Sequence, residues 1–509
     1  MTAAGEGYER RRSFLLGKAK PNAIVGRNRE TGELAVLAIG CLLAMVAGFA
    51  VPTLPLKILT IVGCPALAGA IVFVPYRKRT YYRWFEIDRT YRRIMRSRAA
   101  FYASNADTAG TTLGGKELSI PTPTGVGQVR WLTARFGPDQ LAVLMHLDRG
   151  TITCTIEIEG PGVGSRDAED QEALVDRYGT LLRHVANGDG FVTRLQMLAR
   201  TLPADPDAHA KDVARRGDPL APGWIRESYA QLASMVSTSS EQHRTYLTAC
   251  MSYTRELAAE ARVMSGGIDM DHGICVIMVR ELTDICARLA DADIKVRRPL
   301  DVPALASLIH SMYDPEHPID HTDGMAERDA WPAEYDAAGP LFLRAKTRES
   351  VTAEPWCHAS AWIREWPMTP VAVNFLAPLL VHTPDVIRTV AVSMDLEPTE
   401  VAIERMLTER VNVDAEASRQ AKLGRVDDPR ERAHSSRVDL RGEDLAGGAA
   451  GVNLVGYITV SSRSPEALAR DKRTIRASAG KSFLKLEWCD REHHRAFVNT
   501  LPFATGVRR

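Results

Sequence analysis

Two kinds of apolar pattern run along this chain. The first is continuous: Leu34 to Leu56 carries no charge, Lys57 interrupts once, and Ile58 to Tyr76 is again uncharged. A bilayer core of about 30 Å takes about 20 apolar residues at a helical rise of roughly 1.5 Å each. Each half meets that length, and Pro52, Pro55 and Lys57 fall where a tight connection belongs. The pattern predicts a transmembrane helical hairpin over 34–76.

The second kind is periodic and fills the rest. Residues 77–103 lack Gly and Pro and place Trp84, Ile87, Tyr91 and Ile94 at helical spacing, which predicts a cytoplasmic helical extension. Glycine and proline then crowd 104–127, a linker by its punctuation. Val129–Phe136 reads as a strand. Leu141–Leu147 and Thr151–Ile158 flank Asp148-Arg149-Gly150 and read as a hairpin. Leu174, Tyr178, Leu181, Leu182 and Val185 share a helical face within Asp167–Asn187, followed by a strand over Phe191–Leu202. Helices are expected at Glu227–Val236 and Gly273–Leu289, while Thr245–Tyr253 fits strand or helix. After a proline-broken stretch, 312–338, strands are expected at Leu341–Thr347, Cys357–Trp366, Ile387–Met394, Val452–Ser461 and Phe483–Trp488. Helices are expected from Thr399 and from Ser464-Pro465 to Ala479.

These elements divide the chain into a basic lead (1–33), the hairpin (34–76), the helical extension (77–103), a linker (104–127), a first α+β module (128–311), a loop (312–338) and a second α+β module (339–509). The segment Thr151–Ile158, helix, strand, Thr201-Leu202-Pro203 echoes Val452–Ser461, helix, strand, Thr500-Leu501-Pro502. That echo suggests two ferredoxin-like modules built on split β-α-β units, and the linkers around them are expected to let the modules reorient.

Charge gives the hairpin a direction. Arg10, Arg11, Arg12, Lys18, Lys20, Arg27 and Arg29 precede it, and Arg77, Lys78, Arg79, Arg83, Arg89, Arg92, Arg93, Arg96 and Arg98 follow it. Positive charge stays on the cytoplasmic side, so both termini are expected in the cytoplasm of a multi-pass protein of the inner (plasma) membrane. Tyr76, Tyr81, Tyr82, Trp84 and Phe85 suit the interfacial aromatic belt. The whole 509-residue chain has a formal net charge of only +1, which argues against a general polyanion binder, so no direct nucleic-acid contact is expected. None of the eight cysteines forms a CxxC pair, which fits a reducing compartment and offers no zinc ribbon.

Motifs for chemistry are sparse. Gly480-Lys481-Ser482 echoes a phosphate loop, but Ile475 stands where the first glycine belongs, and the segment follows a helix. Val390–Asp395 resembles a magnesium-holding acidic strand end, but Ser393 interrupts it and it has no phosphate loop to serve. Asp314, His317, Asp320, His321 and Asp323 are ligand types for a divalent metal, here read as a solvated loop. His493 and His494 are adjacent on a helix and diverge. No catalytic, cofactor or metal residue is assigned.

A resemblance can be placed on these features. The basic lead with Arg10, Arg11, Arg12 and Phe14, the hairpin, the basic aromatic exit and the α+β part resemble an actinobacterial family of membrane proteins encoded with conjugation and type IV secretion machinery. Gly456-Tyr457-Ile458-Thr459-Val460, Ser464-Pro465-Glu466-Ala467-Leu468 and Thr500-Leu501-Pro502 resemble the end of the N-terminal domain of VirB-type conjugation ATPases. Those ATPases continue into a motor domain, and this chain stops at Arg509. The EccE subunit of the type VII secretion translocon has a similar layout. The resemblance implies a non-enzymatic docking component, oligomeric or in a hetero-complex, whose partners are the membrane, a secretion ATPase and translocon subunits. A membrane-anchored enzyme using the His317/His321 region is the alternative from another class.

Overall fold

The computed structural model describes residues 31–506, chiefly excepting 105–111, 204–217, 320–337 and 423–441 and some shorter stretches. The described residues up to Ala100 form one compact unit, and those from Phe101 onward belong to another. The lead before Thr31 lies outside the described residues, as does much of the 104–127 linker.

The smaller unit contains α1 (Thr31–Ala50), α2 (Leu54–Phe73) and α3 (Tyr81–Arg96). Helices α1 and α2 approach closely because small residues meet: a Cβ on Gly40 would lie 2.5 Å from that of Ala68. Their large apolar side chains turn outward. Phe49 is 88 % exposed, Leu59 66 % and Leu67 65 %. Among the described residues one helix, Pro55–Phe73, is long and apolar enough to cross a membrane, and only 11 % of it is buried. The apolar run in α1, Ala35–Val46, is shorter than a span. Helix α3 is amphipathic and ends on Arg93 and Arg96.

The larger unit is mixed α+β around one antiparallel sheet, which has thirteen strands among the described residues. The strands are β1 (Phe101–Ala103), β2 (Val129–Phe136), β3 (Asp139–His146), β4 (Thr151–Glu159), β5 (Val192–Pro203), β6 (Glu241–Ser252), β7 (Lys295–Pro299), β8 (Phe342–Arg344), β9 (Val351–Ala353), β10 (Trp356–Glu365), β11 (Ile387–Glu397), β12 (Gly451–Ser462) and β13 (Lys485–Trp488). The helices are α4 (Ala168–Asn187), α5 (Gly223–Ser237), α6 (Arg255–Met264), α7 (Met270–Asp291), α8 (Val302–Tyr313), α9 (Ala377–Leu380), α10 (Thr399–Lys422), α11 (Pro465–Lys481) and α12 (His493–Val498). The sheet runs β1-β8-β9-β10-β12-β11-β5-β6-β4-β3-β2, with β7 also on β4 and β13 also on β10.

That order repeats. The first half contains β5-β6-β4-β7 and the second β11-β12-β10-β13, the same order when each set is numbered along the chain. In both, a short hairpin shares an edge with the last strand: β3 and β7 divide the edge of β4, and β9 and β13 divide that of β10. Position in the sheet therefore makes β6-α7-β7 the counterpart of β12-α11-β13. The Thr-Leu-Pro echo had aligned β4-α4-β5 with it instead, because every split β-α-β unit looks alike locally.

The halves do not hang apart. Strands β5 and β11 pair from Arg388↔Thr201 to Asp395↔Arg194, so the sheet continues through the seam. The expectation that 128–311 and 339–509 reorient gives way to this pairing, since hinging would break its backbone hydrogen bonds. One face of the sheet carries the apolar core, formed with α4 and α7 in the first half and with α9 and α11 in the second. The other face is polar and equally covered. On it, Gln196 donates to the Asn499 carbonyl at 3.1 Å and accepts from the Ala504 amide at 2.8 Å. Ser393 donates to the Thr505 carbonyl at 2.8 Å, and Phe503 packs on His146 with ring centroids 4.9 Å apart. The C-terminal segment thus spans both halves.

Candidate functional site at the end of helix α8

Helix α8 starts on Asp301, whose carboxylate accepts from the Ala304 amide at 2.9 Å, with Pro303 in the first turn. Nearly every side chain from Ala304 to Tyr313 is buried, so the helix has no wet face. Its last turn carries His310, and Asp314 ends it. The Asp314 Oδ1 accepts from the Trp356 indole at 3.0 Å and from the Glu316 amide at 3.1 Å. The chain then turns: the His317 amide donates to the Asp314 carbonyl at 3.0 Å, and Ser307 donates to the Ile319 carbonyl at 3.1 Å. His310 Nδ1 lies 2.9 Å from the Gly339 carbonyl.

The third member arrives from the second half. Glu354 occupies the turn between β9 and β10 with φ of 55°, a left-handed conformation uncommon outside glycine. Its Oε1 accepts from the Leu341 amide at 2.8 Å. Ligand atoms of His310, Asp314 and Glu354 lie within 4.8 Å of one another. The rim is polar: Arg463 stacks over Trp356 at 4.7 Å and pairs with Glu316.

The structure therefore uses part of the stretch singled out in the sequence. Asp314 belongs to the cluster, and His317 packs its ring on His310 with centroids 4.6 Å apart. Asp320, His321 and Asp323 lie outside the described residues. His310 and Glu354 escaped the sequence reading. The spacing of His310 and Asp314, one helical turn apart, was a usable signal; nothing local points from either to Glu354.

The other candidates sit elsewhere. Gly480 and Lys481 close α11, with Ser482 buried at its C-cap before β13. Asp395 lies within β11 and pairs with Arg194. His493 and His494 are both buried. His493 Nδ1 accepts from the Ser360 amide at 3.0 Å. Burial pushes the His493 pKa down and that of His494 to about 4. His146 and His358 fall to about 3, chiefly by burial, and are neutral at physiological pH. A separate cleft of about 190 Å³ is lined by Lys472, Arg473, Arg476 and Glu349.

No known family profile matches the chain, and no curated protein is significantly similar to it.

Proposed function

We propose that this protein is a non-enzymatic, membrane-anchored structural and docking component of a secretion or conjugative DNA-transfer complex, with both termini in the cytoplasm. The observation that carries the reading is the outward-facing apolar surface of α1 and α2. A soluble helix pair would bury side chains such as Phe49, Leu59 and Leu67; a bilayer is the solvent that would cover them. Two closely packed helices joined at Val51–Thr53 suit a hairpin, and the arginines of α3 suit the cytoplasmic interface.

The repeated strand order supports reading the two halves as ferredoxin-like modules. Strand β2, eight residues long, ends the sheet, and among the described residues no strand pairs with its outer edge, on which a motor ATPase, a translocon subunit or a second copy could add a strand. The type IV-like and type VII-like versions share this anatomy. The test is expression of the full chain with its neighbouring genes and extraction in mild detergent. The protein is expected to co-purify in a larger complex; a lone monomer from such cells would sink the docking role.

A further inference from the structure

The carboxylates of Asp314 and Glu354 sit within 4.8 Å of each other and of a ring nitrogen of His310. Glu354 is only 8 % exposed. No lysine or arginine among the described residues is ion-paired with either carboxylate. Two negative groups this close oppose one another, and buried charge requires a partner: a proton, a cationic side chain or a metal ion.

Each of the three side chains is also held by one atom and has another to offer. The Asp314 Oδ1 is occupied by Trp356 and Glu316, which leaves Oδ2. Glu354 Oε1 is occupied by the Leu341 amide, which leaves Oε2. His310 Nδ1 faces the Gly339 carbonyl, which can only accept, so Nδ1 carries the proton, and Nε2 is the nitrogen left to offer a lone pair when the imidazole binds a metal. An imidazole whose second nitrogen donates to a backbone carbonyl is the usual state of a metal-ligating histidine.

We infer that His310, Asp314 and Glu354 bind a divalent cation of the first transition row, of the Mn2+ or Zn2+ class. One imidazole with two carboxylates favours such an ion over Mg2+, which prefers an all-oxygen shell. Three protein donors leave further positions for water. The ion fastens the end of α8, from the first half, to the β9–β10 turn of the second half. This inference is independent of the membrane reading.

The probe is Mn2+ alone, because the eight cysteines would take up Zn2+ adventitiously. Full chain in detergent is stripped with a chelator, dialysed and titrated with Mn2+, with free ion counted by electron paramagnetic resonance. One Mn2+ per chain is expected. Glu354→Gln and Asp314→Asn are each expected to weaken binding at least tenfold while the circular dichroism spectrum is unchanged. Asp314→Asn keeps the Oδ1 acceptor for Trp356, so it serves if the Glu354 variant does not fold. A stripped chain that takes no Mn2+, or variants that bind like the parent, would overturn the site.

Discussion

Arg194 of β5 and Asp395 of β11 are direct register partners across the strand pair that joins the two halves, and their side chains form an ion pair. The side chains are 18 % and 22 % exposed, so the pair is largely shielded from water. Arg194 also donates Nη1 to the Ala504 carbonyl at 2.8 Å. Asp395→Ala leaves this guanidinium without its carboxylate, and losing a charged hydrogen bond costs about 2 kcal/mol. Asp395→Asn keeps an acceptor and should cost less. Denaturant midpoints of the full chain decide it. A loss under about 0.5 kcal/mol for the alanine variant, the range of exposed pairs, would mean that the backbone alone holds the seam.

Helices α6 and α7 pack through Gly273. A Cβ there would lie 1.9 Å from the Ala261 carbonyl oxygen and 2.6 Å from its carbon, and backbone cannot swing aside as a side chain can. Gly273→Ala should therefore lower stability by about 3 kcal/mol or more, at the upper end of overpacking effects. Gly179, in the middle of α4, has nothing within 4 Å of such a Cβ. Gly179→Ala should raise stability by about 0.8 kcal/mol through helix propensity alone. A Gly273→Ala melt unchanged from or above the parent would refute this account of α6–α7 packing, and a lowered Gly179→Ala melt would refute the propensity gain in α4.

Where one face of an element was wet, the sequence was readable. Ile274, Met278, Leu282, Ile285 and Leu289 line the buried face of α7 as their spacing requires. The hairpin turn at Asp148–Gly150 forms, with Gly150 at φ of 60°. Where both faces are covered, the period vanishes. Strand β6 is buried at every residue from Tyr246 to Met251, which is why Thr245–Tyr253 fitted either element. Helix α8 is buried nearly all round and escaped notice for the same reason. Arg194, Gln196 and Arg200 alternate like a solvent face, yet α8 and the C-terminal segment cover them: Arg200 reaches the Ser311 carbonyl. The candidate cluster was half legible. His310 and Asp314 are one turn apart, but Glu354 joins them only through the pairing of distant strands.

Buried imidazoles give the fold a pH dependence. His358 holds Ser461 at 2.8 Å and the Tyr313 carbonyl at 2.9 Å, and burial pushes its pKa to about 3; His146 falls equally far. In the unfolded chain both take a proton near the ordinary 6.5. The unfolded state therefore binds more protons throughout the window from 6.5 to about 3, and stability falls as pH drops through it. Each histidine contributes a slope approaching about 1.4 kcal/mol per pH unit. His358→Gln should be less stable than the parent at pH 7 and show a shallower decline below pH 6.5. Parallel declines in the two proteins would mean that His358 is protonated in the folded state.

The membrane reading makes a prediction about sides. Thr53, exposed at the start of α2, belongs to the connection between the two helices, and Glu349, exposed before β9, belongs to the large α+β unit. With arginine dense after α2 and only Lys57 near the connection, the positive-inside rule places Thr53 outside and Glu349 within the cell. A membrane-impermeant maleimide added to intact cells should label Thr53→Cys above the parent chain and leave Glu349→Cys at the parent's level. After the cells are broken open, Glu349→Cys should label fully, which separates an inaccessible side of the membrane from a buried thiol. If Glu349→Cys labels in intact cells while Thr53→Cys does not, the hairpin is inverted. If both label only after lysis, α1 and α2 do not cross the bilayer, and their apolar surface must be covered by a protein partner instead.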